Sequence, residues 1–267
     1  MSDDLLYSVT DHIGHIILNR PDRRNAITFD MYKRIGDICS VAGTEADPDQ
    51  VKVLILSGSG DKAFASGTDI SQFLDFSDGQ DGVDYEAKME AVLRQIEACG
   101  VPTIAALHGY VTGGGAGIAA ACAIRIGSED LQVGVPIART LGNCLAIGTL
   151  RRFVSLIGQA RTKYILLTAQ LIEAREAKTA GFISELLVDK AAVTQRAFEL
   201  ATAITTFAPL TLKATQAALQ RLEMAQGLPD DDDLIRLCYG SDDFKEGRTA
   251  FVEKRKQRWT GKQNSQN

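Results

Sequence analysis

The sequence predicts an α/β core followed by a helical C-terminal part, and three observations carry that prediction. Short, strand-like apolar runs alternate with helix-periodic segments as far as residue 190. One of those runs, 102–107, passes through a glycine-dense stretch into a helix-like segment. From residue 191 on, the apolar spacing is almost wholly helical. The 267 residues therefore divide into a core over 1–190 and a helical region over 191–267, enough chain to bury a substantial interior.

Taken in order, residues 12–19 alternate and end in an apolar run, which reads as a strand, and Pro21 and Asn25 mark the turn that follows. Thr28 is placed to cap a helix whose apolar positions Met31, Ile35, Ile38 and Ala42 recur at helical spacing. Residues 51–56 read as a second, buried strand and 57–61 as a turn. The block Lys62-Ala63-Phe64-Ala65-Ser66-Gly67-Thr68-Asp69-Ile70 again stands at a strand end. The polar, acidic segment 71–84 lacks strong periodicity and is expected to be a mobile loop over the neighbouring site. Met89, Val92, Leu93 and Ile96 mark a helix that Gly100 ends.

The central strand 102–107 leads into Gly109-Tyr110-Val111-Thr112-Gly113-Gly114-Gly115-Ala116-Gly117 and then a helix over 118–123. A strand, a glycine turn and a helix leave N–H groups free at the helix start, where the dipole favours negative charge. Glycines also let a ligand approach the main chain closely. Tight helix packing around small residues is the competing reading. A dinucleotide fingerprint is not in a convincing setting, because no β–α unit upstream carries an acidic residue at the expected distance.

Further strands follow at 124–127 and 131–135, helices at 145–156, 160–168 and 174–180, and a strand at 183–188 after the stop at Gly181. In the helical remainder, Gly227-Leu228-Pro229 predicts a break, and the acidic run 230–233 reads as a solvated helix start.

Composition narrows the function classes. Apolar residues make up 45%, charged residues 24% and aromatics 6%, an ordinary globular profile. A net charge of −5 and an isoelectric point near 5.3 argue against nonspecific binding to nucleic acid or anionic membrane. No apolar run approaches the ~20 residues that span a bilayer, and the N-terminus has no basic-then-apolar leader, so a cytoplasmic protein is expected. The five scattered cysteines and three histidines lack metal-ligand spacing, so reduced thiols and no metal are expected.

Four blocks together resemble the crotonase superfamily, the enoyl-CoA hydratase/isomerase family. They are Leu18-Asn19-Arg20-Pro21 with Asn25-Ala26, the 63–70 block, the 108–117 block, and Glu246-Gly247-Arg248-Thr249-Ala250-Phe251-Val252-Glu253-Lys254-Arg255. They occur in the family's order over nearly the whole chain. The resemblance implies a ClpP-like spiral of ββα units whose helical C-terminal region packs a homotrimer, often a dimer of trimers. It implies an acyl-CoA thioester ligand, with coenzyme A part of the substrate and no separate cofactor. It places the thioester oxygen between two backbone N–H groups, those of Thr68 and Gly114, within a substrate site formed by Ala65, Ser66, Gly67, Asp69, Ile70 and Gly113. Phe251 and Lys254 match residues that reach coenzyme A from a neighbouring subunit, an aromatic and a cation at a spacing that suits its adenine–phosphate head, and Arg23 and Arg24 in the first turn are weaker phosphate candidates. Physical reasoning agrees that an oxygen gaining charge needs preorganised donors. Because the donor is backbone, side-chain identity at Thr68 is expected to be free within steric limits, with Asp69 fixing the loop.

The chain departs from the resemblance where proton transfer is concerned. Family members that hydrate an enoyl bond use two glutamates, and the matching positions here are Gly117 and Ile137, the latter just after Pro136. Neither residue carries a proton, whereas positioned acid/base groups contribute ~100- to 10,000-fold each. The family's later Pro-Gly segment is replaced by Asn143-Cys144-Leu145. Arg139, Thr140, Asn143 and Cys144 are candidate linings of the acyl pocket. Three readings follow: an enoyl-CoA hydratase/isomerase-like enzyme, a decarboxylase or a thioester hydrolase relying on the oxyanion site; a catalytically weak acyl-CoA-binding homologue; and an RNA-binding homologue, which the acidic balance disfavours. Segment 71–84 acting as a closing loop favours the enzyme, and Ile137 packed into a collapsed pocket favours the binder.

Overall fold

The computed structural model describes residues 4–224 and 232–258. The expected break at 227–229 and the first half of the acidic run 230–233 lie outside those residues.

The first half of the chain repeats a strand–strand–helix unit. β1 (Leu5–Thr10) and β2 (Ile13–Leu18) form a hairpin whose two turn residues, Asp11 and His12, both take positive φ, and α1 (Phe29–Val41) follows. The second unit is β3 (Val53–Gly58), β4 (Ala63–Ala65) and α2 (Gly79–Glu97). The third is β5 (Thr103–Leu107), β6 (Tyr110–Thr112) and α3 (Gly114–Ala121). The fourth is β7 (Ile124–Ser128), β8 (Gln132–Gly134), the short α4 (Ile137–Thr140) and α5 (Ile147–Leu167). Then come β9 (Ile172–Glu173), α6 (Ala174–Ala180) and β10 (Glu185–Leu187). The helices α7 (Lys190–Ile204), α8 (Pro209–Met224), α9 (Asp232–Tyr239) and α10 (Asp242–Val252) complete the chain.

In the second to fourth units, the first strand joins a six-stranded sheet of order β1-β2-β3-β5-β7-β10, parallel from β2 onward. The second strand joins a four-stranded sheet of order β4-β6-β8-β9. The two sheets stack the units into a spiral. All six residues of β3 are buried, as a parallel strand covered on both faces requires. Its Leu54 and Leu56 enter the main core, while Val53 and Ile55 face the other way with Ile104, Ala106 and Ile126. Val193, Ala197, Ala201 and Ile204 of α7 cover that second face.

Local signals behave as their chemistry demands. The Thr28 hydroxyl accepts from the Met31 N–H at the start of α1. Gly181 closes α6 with φ 91°, and Gly158, with φ 74° and ψ 159°, interrupts α5 between the two helices expected there.

Two expectations are corrected. Segment 71–84 is not one loop: a 3-10 turn occupies Ile70–Phe73, and α2 already begins at Gly79. Asp78 and Asp81 form a reciprocal capping box there, which stabilises a helix start that weak apolar periodicity conceals. The central helix begins at Gly114 rather than 118, so the glycines form its first turn. A Cβ on Gly115 would sit 2.6 Å from the Ala65 Cβ, so only a helix without side chains on that face fits against β4. Close packing and a free helix start therefore coexist in one stretch.

Candidate functional site

The site is built where the turn after β2 is laced to the end of β4. Asn25 is wholly buried with φ 54°. Its amide donates to the carbonyls of Ser59 and Ala63 at 2.9 and 2.8 Å, and its oxygen accepts from the Arg20 N–H at 2.9 Å. The Ile27 N–H donates to the Gly67 carbonyl at 2.8 Å, and the Asp69 N–H donates to the Ile27 carbonyl at 2.9 Å. In such a parallel bridge the residue between the two bonds turns its own N–H away from the partner strand. That residue is Thr68.

Asp69 holds the loop. Its carboxylate pairs with Arg20 at 2.8 Å and accepts from the Ser71 N–H and hydroxyl at 3.1 and 2.8 Å. Partial burial acts to raise its pKa, but the hydrogen bonds from Arg20 and Ser71 outweigh it and leave the carboxyl below its usual range. Asp69 is thus committed to structure.

Opposite Thr68 stands the start of α3. Gly113 adopts φ 54° and ψ −126°, a conformation open to glycine, and donates its N–H to the Gly134 carbonyl. Gly114 follows as the first helical residue. Among the described residues, no acceptor faces the N–H of either Thr68 or Gly114. The two segments touch: a Cβ on Gly67, whose φ is 110°, would lie 3.7 Å from the Gly114 nitrogen. Two unengaged N–H groups, one from a strand end and one from a helix start, therefore border the same space.

Side chains close in around them. The Thr68 hydroxyl is 3.0 Å from the Tyr32 hydroxyl and 2.8 Å from that of Tyr85. Position 68 is thus less free than backbone function alone implies, because its Oγ1 joins two phenols that an alanine or valine would leave apart. Burial pushes the Tyr32 hydroxyl far above its ordinary pKa, so it stays protonated.

A cavity of about 600 Å³ opens onto this region. Of the residues singled out in the sequence, Arg24, Ser66, Gly67, Thr68, Asp69, Ile70, Gly113, Gly114, Gly117, Ile137 and Phe251 border it. Gly117 and Ile137 stand on its wall without collapsing it. Arg23, Thr140 and Asn143 also border it, and Arg24 lies 5.4 Å from the centre of the Tyr110 ring at its edge. Phe251 borders the cavity of its own chain.

Four residues fall elsewhere. Ala65 is wholly buried in β4 beneath Gly115. Lys254 is exposed just past α10, and Arg139 is exposed on α4. Cys144 packs beside the aromatic cluster of Phe73, Tyr239 and Phe244.

The cavity also holds residues that sequence reasoning missed: Tyr32, Tyr85 and Glu86. Glu86 is 5% exposed, accepts from the Tyr239 hydroxyl at 2.6 Å and from the Ala146 N–H at 3.1 Å. Tyr239, on α9, also receives the Asn143 amide at 3.1 Å. The Asp78-x-x-Asp81 pair was the available signal, since a helix started there puts Tyr85 and Glu86 on α2 rather than at a loop end. Nothing in the local sequence brings Tyr239 to Glu86, 153 positions away.

Among the described residues, no cluster of histidine, cysteine or carboxylate has the makings of a metal site, and no helix is long and apolar enough to cross a membrane.

Comparison with known proteins agrees with this architecture. The family model described as enoyl-CoA hydratase/isomerase matches residues 9–263. The chain is 32% identical over 247 residues to a short-chain-enoyl-CoA hydratase of Clostridium acetobutylicum, covering 91% of this chain and 92% of that protein. It is also 32% identical over 261 residues to a peroxisomal Delta(3,5)-Delta(2,4)-dienoyl-CoA isomerase of Arabidopsis thaliana, covering 92% of each. A crystal structure of an enoyl-CoA hydratase/carnithine racemase from Magnetospirillum magneticum superposes with a TM-score of 0.77 at 29% identity, over 98% of this chain and 97% of that one. With its spiral of strand–strand–helix units and a family match spanning nearly its whole length, the chain belongs to the enoyl-CoA hydratase/isomerase family of the crotonase superfamily.

Proposed function

We propose that the protein is an enzyme of acyl-CoA thioesters that stabilises a thioester enolate or oxyanion between the N–H groups of Thr68 and Gly114. The observation that carries this reading is the pair of unengaged backbone donors on two touching segments that both border the cavity. Such donors need no reorganisation as charge develops, and one is typically worth ~100- to 1000-fold in rate. Gly113, Gly67 and Ser66 then line the path of the thioester, and Ile70, Ile137 and Gly117 border the acyl chain. Arg23 and Arg24 at the cavity edge suit the phosphates of coenzyme A, with Phe251 stacking nearby and Lys254 serving a neighbouring copy. In this reading the C-terminal helices pack a homotrimer or a dimer of trimers, for which the exposed Phe207, Leu210 and Leu219 supply apolar surface.

Gly117 and Ile137 stand at the two positions where the hydratase glutamates are expected, so water addition through that pair is not available to this chain. The test is to measure binding of crotonyl-CoA and its hydration on one sample. Binding without rapid hydration is the expected result. Failure to bind any CoA thioester overturns the proposal.

A further inference from the structure

We infer that Cys144 and Cys238 form a redox-active dithiol beside the cavity, a site of reversible oxidation that a peroxide closes into a disulfide. None of the five cysteines is in a disulfide, and four of them stand as hydrogen-bonded pairs. Cys39 and Cys99 join α1 to the end of α2, but both lie in the main core with almost no exposure. Cys144 and Cys238 are only half-buried, so a small oxidant reaches this pair and not the other.

The fold holds the two sulfurs together from distant parts of the chain. Cys144 lies in the segment before α5 and Cys238 in the last turn of α9, and both pack on the cluster of Phe73, Tyr239 and Phe244. Their chain neighbours are already bonded: the Asn143 amide donates to the Tyr239 hydroxyl at 3.1 Å, 96 positions away. The Cys238 carbonyl accepts from the N–H and the hydroxyl of Ser241, which fixes the backbone behind the thiol. Neither cysteine borders the cavity, but Asn143 and Leu145 on either side of Cys144 do. A covalent bond here therefore ties α9 to the cavity wall.

The pair divides the chemistry unequally. The hydrogen bond from the Cys144 thiol stabilises the Cys238 thiolate, so Cys238 is the attacking sulfur and Cys144 the resolving one. The Cys238 thiolate attacks one oxygen of hydrogen peroxide, the S–O bond forms, the O–O bond breaks and hydroxide leaves. The sulfur has lost two electrons to the peroxide and stands as a sulfenic acid. Cys144 gives its proton to that hydroxide, making water, and its sulfur attacks Cys238. The S–S bond forms, the S–O bond breaks and the departing hydroxide is protonated by solvent. In sum, two thiols and one hydrogen peroxide become a disulfide and two waters. An external dithiol reverses the step by exchange.

The test treats the reduced, full-length protein with a small excess of hydrogen peroxide, quenches with an alkylating agent and maps the peptides by mass spectrometry without reduction. The expected product is a peptide pair joined through Cys144 and Cys238, with Cys39, Cys99 and Cys122 recovered as thiols, and dithiothreitol should undo it. The bond closes a long loop, so the oxidised protein should melt roughly 5–10 °C higher and show slower amide hydrogen exchange across α9. Cys144→Ser should form no disulfide and leave a sulfenic acid on Cys238 that dimedone traps. Cys238→Ser should form no disulfide and leave Cys144 reduced. A bond between two copies, oxidation of Cys39 and Cys99 first, or direct passage of Cys238 to the sulfinic acid overturns the inference. So does a Cys144–Cys238 bond that changes neither Tm nor exchange across α9. No CoA thioester enters these measurements, so their outcome is independent of the thioester site.

Discussion

Replacing Gly114 by alanine tests the oxyanion site with a single methyl group. The new Cβ would lie 1.8 Å from the Tyr32 Oη and 3.0 Å from the Thr68 Oγ1. Non-bonded heavy atoms settle at about 3.5–4.0 Å, so something must shift by well over an ångström. Tyr32 cannot swing away freely, because it is 2% exposed and its hydroxyl is held by Thr68 at 3.0 Å. The strain therefore falls on the start of α3, which carries the Gly114 N–H. Moving that donor out of line should cost on the order of 100- to 1000-fold in kcat. Overpacking should cost about 1–3 kcal/mol in stability, with Tm falling by roughly 2–4 °C per kcal/mol.

Tyr32→Phe supplies the control, since it deletes the clashing oxygen and leaves the ring carbon Cζ at 3.2 Å as the nearest atom of that side chain. The double variant Gly114→Ala/Tyr32→Phe should recover most of the Tm and a large part of the activity relative to Gly114→Ala. The assay is kcat and KM for turnover of an enoyl-CoA thioester, with calorimetric Tm, on all four proteins of the cycle. A Gly114→Ala protein equal to wild type in kcat refutes the oxyanion role of this N–H. A double variant as inactive as Gly114→Ala, but with restored Tm, refutes the steric argument.

Two further predictions concern buried charge and thiol chemistry. Arg152 is 3% exposed and clamps Glu90 at 2.6 Å and Glu97 at 2.7 Å, so Arg152→Met leaves Glu90 with Arg94 at 2.9 Å and Glu97 with Arg151 at 4.0 Å, and should cost roughly 3 kcal/mol in denaturant unfolding, the lower end for a broken buried pair. Burial acts to raise the Glu90 pKa, but hydrogen bonds from Arg152 and Arg94 hold the carboxyl below its ordinary value of 4.5 in the folded protein. Its contribution is therefore present above the unfolded value and lost as pH falls through the folded one. The wild type should lose stability below about pH 4.5, and Arg152→Met should flatten that decline; an unchanged acid limb would count against the clamp. Cys238 is held at about 7 by a hydrogen bond with the Cys144 thiol, against the opposing effect of burial. Alkylation should show one thiol with a midpoint near pH 7 that moves toward 9 in Cys144→Ala, and a wild-type midpoint already near 9 would refute the pairing.

Much of this molecule was legible in its sequence, because many of its signals are local. Thr28 before a helical apolar stripe, Gly181 after one, and the fully apolar β3 each encode their conformation within a few residues. The same holds for the two blocks that present Thr68 and Gly114: both lie at strand ends, and glycines there permit a backbone that other residues resist. The absence of a carboxylate at 117 and 137 is likewise a plain fact of sequence. Tertiary structure decided what stands in the cavity instead. Glu86 lies on a helix whose outer face is polar, so periodicity did not distinguish the buried carboxylate from its solvated neighbours. Tyr32 lies on α1 and Tyr239 on α9, and only packing of α1 and α9 against α2 brings their hydroxyls to Thr68 and Glu86. Backbone donors are specified by local conformation and can be read one segment at a time. Side-chain contacts between distant segments depend on the whole chain being folded, and here they determine which groups reach the cavity.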